Sequence, residues 1–399
     1  MKRLIFLFKL IFSVFLCPLT FAEVPVEEWG FLDYEFKIYD SDGNDFAREG
    51  ALSGRDMIAL GLSFCLCKPG SDEWKECFEA YDLMAAAVTS DEAMAMGEKE
   101  RGEFVLETLF SMCLKSYGLM EDSLVRTFKL GKYNCVTSSV VYMALCKECG
   151  IDARVQLVPG HVFVSVYVEG KKIDVECTNE NGFEPGVRKE KIVNGKKTIT
   201  LVPRSNYSRR RERSDRLAVS RIASNNVSHM NDADQYELAV PLELAALRLM
   251  TDSEREEERE TLDKLLGNFA IETEKKLSPD DAACFLEYVM GRYGKSQYLL
   301  NEYYAYAYNS MARDYNAGRY DEALAKLDAR KEYLSQKNYN NFKNQLIKAK
   351  VNDAHNFYVG LAKAGKYEEA KVFLEEQLEI YPGNKILSAD LNRVKNMLK

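Results

Sequence analysis

Residues 131–178 read GKYNCVTSSVVYMALCKECGIDARVQLVPGHVFVSVYVEGKKIDVECT, and how this stretch is parsed governs every other assignment. Val136–Cys149 is helix-like and stops at Gly150, where a helix C-terminal glycine is expected. Two period-two runs follow, Arg154–Leu157 and His161–Val168, and then a third, Lys172–Cys177. A helix succeeded by alternating strands predicts an α+β unit. Cys135 sits at the helix N-terminus, where the dipole and open N–H groups favour a thiolate and could hold an oxyanion. The chain has three histidines. His229 and His355 fall in helical sequence and read as ordinary surface or core residues. His161 opens a strand on which His161, Phe163, Ser165 and Tyr167 share one face. A thiol at a helix start and an imidazole at a strand start are the groups a cysteine nucleophile and its base require.

A third group should orient the imidazole, and Glu176 and Asp174 compete. If Glu169-Gly170 forms a two-residue hairpin turn, Val168 faces Lys171 and His161 faces Thr178. Glu176 is then one diagonal step from His161, roughly 7–8 Å by Cα spacing. Asp174 faces Ser165, about 13 Å away at roughly 3.3 Å per residue. Geometry favours Glu176; a three-residue loop would reverse the register unless a bulge restored it. Tyr133 and Asn134 flank the thiol without an assigned role.

Upstream, Met1-Lys2-Arg3 followed by an apolar run to Leu19 and by Thr20-Phe21-Ala22 reads as an export signal over residues 1–22. Lys9 and Pro18 interrupt the run, which is shorter than the roughly 20 residues of a membrane span. Bulky Leu16 argues against a lipid anchor at Cys17. Net charge is -8, and removing residues 1–22 takes Lys2, Arg3 and Lys9 with it, leaving -11. Such an acidic body is a poor general nucleic-acid binder and a poor ligand for anionic lipid. Export makes the expected location periplasmic or secreted, with no integral membrane segment. Of 10 cysteines, nine then remain, an odd number that leaves at least one thiol unpaired in an oxidising compartment. Structural disulfides or buried thiols are the expected states of the rest. Cys146-x-x-Cys149 has no second C-x-x-C to complete a zinc site. Asp40-Ser-Asp-Gly-Asn-Asp45 carries its glycine at the wrong place for a calcium loop and reads as a solvated turn. No metal and no cofactor is expected.

Residues 23–125 are mostly helical in pattern, and from about residue 205 the chain is nearly all helical. Arg209-Arg-Arg-Glu-Arg213 at the junction reads as a solvated linker face. Gly318-Arg-Tyr-Asp-Glu-Ala323 recurs as Gly365-Lys-Tyr-Glu-Glu-Ala370, with a fainter copy in Asp234-Gln-Tyr-Glu-Leu-Ala239. The Gly allows a tight turn between two helices, the Tyr packs into the pair, and the Ala admits close approach. This resembles the tetratricopeptide repeat, although the clear copies lie 47 residues apart, where that family repeats at 34. An ordinary helical bundle is the alternative.

The blocks Gly131–Cys135, Gly150-Ile-Asp-Ala-Arg154, Pro159-Gly-His161-Val-Phe-Val and Val175-Glu-Cys-Thr178 together resemble the core of the transglutaminase-like superfamily. That resemblance covers about residues 126–183. It implies a papain-like arrangement, with Cys135 as nucleophile, His161 as general base and Glu176 in place of the family's acid. Phe163 stands where the family commonly has Trp, and Glu176 where it has Asp. The expected organisation is a transglutaminase-like domain over residues 23–204 and an all-α tetratricopeptide-like domain over 205–399. The expected function is an exported thiol-dependent amide hydrolase or acyltransferase acting on a protein or peptide, with the helical repeats binding substrate or partner. The alternative is an inactive envelope scaffold in which Cys135 pairs with Cys146 or Cys177. A thiol oxidoreductase built on Cys146 and Cys149 stands behind both.

Overall fold

The computed structural model describes residues 26–47, 49–193, 196–204 and 209–399; the signal-like segment 1–22 lies outside them. After a 3₁₀ segment, Val26–Asp33, six helices form the first half: α1 (Gly54–Phe64), α2 (Asp72–Val88), α3 (Asp91–Ala95), α4 (Glu98–Met112), α5 (Leu124–Leu130) and α6 (Cys135–Glu148). Most begin at a residue whose side chain accepts first-turn amides: Ser53, Ser71, Ser90, Ser123 and Asn134. α6 is buried from Val136 to Cys146. A helix buried on all sides belongs at the centre of a core.

Strand β1 (Ser116–Tyr117) pairs in parallel with β2 (Lys132–Tyr133), just before α6. The main sheet is antiparallel and has the order β5-β4-β3-β8, from β3 (Asp152–Val158), β4 (His161–Val168), β5 (Lys171–Val175) and β8 (Arg211–Arg213). Between β5 and β8, a separate hairpin joins β6 (Lys189–Val193) to β7 (Lys196–Thr200). Glu169 and Gly170 both have positive φ, 51° and 73°, as a two-residue hairpin turn requires. Val168 therefore faces Lys171, and Ser165 faces Asp174.

The basic run is not a linker. Arg211–Arg213 is the edge strand β8, and its Glu212 accepts hydrogen bonds from Arg154, Gln156, Tyr167 and Lys172. Arg210 donates to both oxygens of Asp174, and Arg211 and Arg213 both pair with Glu257. Carboxylates from distant segments neutralise the run, which local charge counting cannot register.

The remaining chain is helical: α7 (Asp215–Asp232), α8 (Tyr236–Leu249), α9 (Asp252–Lys276), α10 (Pro279–Tyr293), α11 (Gln297–Asn316), α12 (Tyr320–Ala329), α13 (Gln336–Lys363), α14 (Tyr367–Ile380) and α15 (Lys385–Met397). α7 packs on α1 and α6. One cluster of buried apolar residues extends from Trp29 to Leu346, and a second from Val351 to Val394. The first cluster has members on both sides of residues 204/205. No described helix is long and apolar enough to cross a membrane.

The molecule is thus mostly helical, with fifteen helices and small sheets among the described residues. This corrects the expected papain-like transglutaminase core with an appended repeat domain. The sheet contributes four short strands, and helices from both halves close one continuous core around α6. The matching blocks encode a capped helix and a hairpin, local solutions that many folds share. The tetratricopeptide expectation is corrected as well. Gly318 and Gly365 do turn between helices, each at φ 74°, and Ala323 and Ala370 are buried. α13, however, runs 28 residues and joins the two apolar clusters, so the helix pairs are not units of one repeat.

Candidate functional site

Three local structures bring Cys135, His161 and Glu176 together. Asn134 caps α6: its Oδ1 accepts the N–H groups of Val136 and Thr137, and the Thr137 hydroxyl accepts the Asn134 N–H. Cys135 is thereby fixed as the first helical residue. The Ser138 N–H bonds back to the Asn134 carbonyl, and no described residue takes the N–H of Cys135. His161 starts β4, opposite Val158 on β3. Beyond β5 the chain turns sharply, with the Glu176 N–H donating to the Gly182 carbonyl at 2.8 Å and the Asn179 N–H to the Glu176 carbonyl at 3.2 Å.

The side chains form a continuous line. His161 Nε2 lies 2.8 Å from Glu176 Oε2, and the Cys135 thiol lies near enough to the ring to be the largest influence on its protonation. With Nε2 on the carboxylate, Nδ1 is the nitrogen left for sulfur. The other carboxylate oxygen, Oε1, accepts from the Thr178 hydroxyl at 2.6 Å and from its N–H at 3.2 Å. Tyr133 Oη in turn donates to the Thr178 carbonyl at 3.3 Å. Cys135 first and then Glu176 raise the His161 pKa to about 10, against burial, which lowers it. For Glu176, burial pushes the carboxyl up, but the bonds from His161 and Thr178 outweigh it and leave the group below its ordinary value. Asp174, the competing carboxylate, is committed to the Ser165 hydroxyl and to Arg210.

Cys135 and His161 open onto a cleft of about 720 Å³. Sequence reasoning missed three of its residues, Arg209, Arg211 and Arg221; the first two sat in a run assigned to a linker, and no pattern places the third near the thiol. The other two histidines stay away from this cleft and pair with carboxylates, His229 with Asp122 and His355 with Asp390. All nine described cysteines are free thiols. Cys146, Cys149 and Cys177 are buried, and burial pushes each of them up. Among the described residues no group of His, Cys, Asp and Glu could hold a metal ion. The Asp40 carboxylate accepts the N–H groups of Asp42 and Asn44 within its own turn.

No family model matches the chain, and no curated protein matches it. A solved structure that it resembles is a crystal structure of menin revealing the binding site for Mixed Lineage Leukemia (MLL) protein. Identity is 17%, and the alignment covers 86% of this chain and 82% of that one, with a TM-score of 0.36. A likeness of that size carries no argument about function. The implied membership of the transglutaminase-like superfamily is accordingly withdrawn: no such family matches, and the architecture is mostly helical.

Proposed function

We propose that this chain is a thiol-dependent amide hydrolase or acyltransferase acting on a protein or peptide. One observation carries the reading: His161 is hydrogen-bonded to the Glu176 carboxylate and lies beside the Cys135 thiol, and thiol and ring line one open cleft. His161 takes the thiol proton, and the sulfur attacks the amide carbonyl carbon. The Cys135 N–H donates to the developing oxyanion. As the C–N bond breaks, the imidazolium returns its proton to the leaving amine, and a thioester on Cys135 remains. Water resolves it in hydrolysis and an amine in transfer. Glu176 holds the ring in orientation and stabilises its cationic form, and Thr178 holds Glu176.

Export remains part of the proposal on the strength of residues 1–22. The helical half is proposed to bring substrate or a protein partner to the cleft, supported by a groove between α11 and α13 lined by Tyr308, Met311, Tyr315 and Phe342.

The test is the rate of Cys135 alkylation by iodoacetamide against pH, read by mass spectrometry, in the wild type and in His161→Ala. Cys135 should react well below pH 8.5, the ordinary free-thiol value, and lose that reactivity in His161→Ala. A Cys135 that titrates as an ordinary thiol in both proteins overturns the enzyme reading and favours the scaffold.

A further inference from the structure

The cleft beside Cys135 is cationic in a chain that is otherwise acidic, with 54 Lys and Arg against 62 Asp and Glu. Its lining holds Arg209, Arg211 and Arg221 together with His161, and no Asp or Glu. The charges of the three arginines are unequally answered. Arg221 is paired with Glu258, with both side chains largely buried. Arg211 shares Glu257 with Arg213, so two guanidiniums lean on one carboxylate. Arg209 is exposed and has no partner among the described residues. Their neighbour Arg210 is held by Asp174 instead. Roughly two positive charges are therefore left over on one wall, and guanidinium forks bind carboxylates in bidentate fashion. Leu119, Val158 and Pro159 contribute an apolar surface to the same cleft.

We propose that this cleft selects an acidic peptide, one carrying a carboxylate close to the amide under attack, with Arg209 and Arg211 as the carboxylate receptors. The proposal rests on Cys135 as nucleophile. Arg211 and Arg209 are specificity residues under it, and Arg221, already neutralised, shapes the wall. A peptide of the same length with its carboxylate replaced by an amide should bind poorly.

Two alkylating reagents of similar size decide it without a known substrate. Iodoacetate is anionic and iodoacetamide neutral; each forms an S–C bond at Cys135 as iodide leaves. The ratio of their rates, measured on the whole protein, reads the charge of the cleft. Expected is a ratio roughly tenfold above that of N-acetylcysteine amide at low salt, since a focused field concentrates an anion to about that degree or more. The ratio should fall towards the reference in 1 M salt, where screening acts within about 3 Å, and in the double variant Arg209→Gln/Arg211→Gln. Arg209→Gln alone breaks no contact among the described residues and should lower it by roughly threefold. A ratio at or below the reference, or one unmoved by both variants, overturns the proposal. Slow reaction with both reagents overturns the nucleophile instead, and the ratio still reports the cleft.

Discussion

Glu176 is pulled in two directions, up by burial and down by the hydrogen bonds that His161 and Thr178 supply, and the hydrogen bonds win. One oxygen of its carboxylate reaches the ring and the other reaches Thr178. His161 shifts the opposite way, up to about 10. The stability this raised value contributes is fully present below about pH 6.5, the unfolded value. It is lost progressively as pH rises through the folded value near 10. The depressed Glu176 works the other way: its contribution is present above the unfolded carboxylate value and lost as pH falls below it. The melting-temperature difference between wild type and His161→Gln should therefore be largest between about pH 5 and 6.5. It should vanish near pH 10 and shrink in strong acid. A difference that does not change with pH would show that the ring and carboxylate are not an ion pair.

Among the elements, the turn after β5 carries more of the site than its length suggests. Gly182 lies against the backbone of this turn, and a Cβ there would collide with the carbonyl oxygens of Glu176 and Asn179. Backbone has no rotamer with which to yield, so Gly182→Ala should destabilise the protein by about 1–3 kcal/mol. It should also slow His161-dependent alkylation of Cys135 without touching thiol, ring or carboxylate. Denaturant unfolding and the alkylation rate check the two halves of this expectation; a stable variant of unchanged reactivity would mean that the turn does not position Glu176. Strand β8 makes the complementary point. Its three residues have no strand signature, and their place in the sheet comes from Glu212, which four side chains from three other segments hold at a pKa of about 2.

At the scale of the molecule, α7 is the piece on which both halves depend. Leu217, Val219, Ile222 and Val227 are buried, and the helix packs on α1 and on the Cys135 helix α6. A chain ending at residue 204 would expose that surface and lose β8 as well. It should fail to unfold cooperatively, and its Cys135 should alkylate at the rate of an unstructured thiol. Far-UV circular dichroism and urea titration check this directly. A fragment that folds and keeps its reactive thiol would show that α7 and β8 are dispensable. A chain ending at Lys363 loses only part of the second cluster, from Val351 to Val394, and should keep the reactive Cys135.

Local sequence determined what depends on local chemistry. The capped start of the Cys135 helix, its end at Gly150, the two-residue turn at Glu169-Gly170 and the resulting register were all legible, because capping, αL glycines and period-two alternation act within a few residues. That register set Asp174 opposite Ser165; the expected pairing of His161 with Thr178 is not made, because the β4–β5 ladder ends at Val164 and Val175 and the chain then turns. Tertiary structure alone decided the rest. It placed helices of both halves around one core, made an edge strand of a basic run, and brought Arg209, Arg211 and Arg221 to the thiol. Each of these depends on partners distant along the chain, from 36 residues for Arg210 and Asp174 to 163 for Leu52 and Asp215, with Glu257 for Arg211 and Arg213 between them. Burial and charge neutralisation between distant segments leave no periodicity for a linear reading to find.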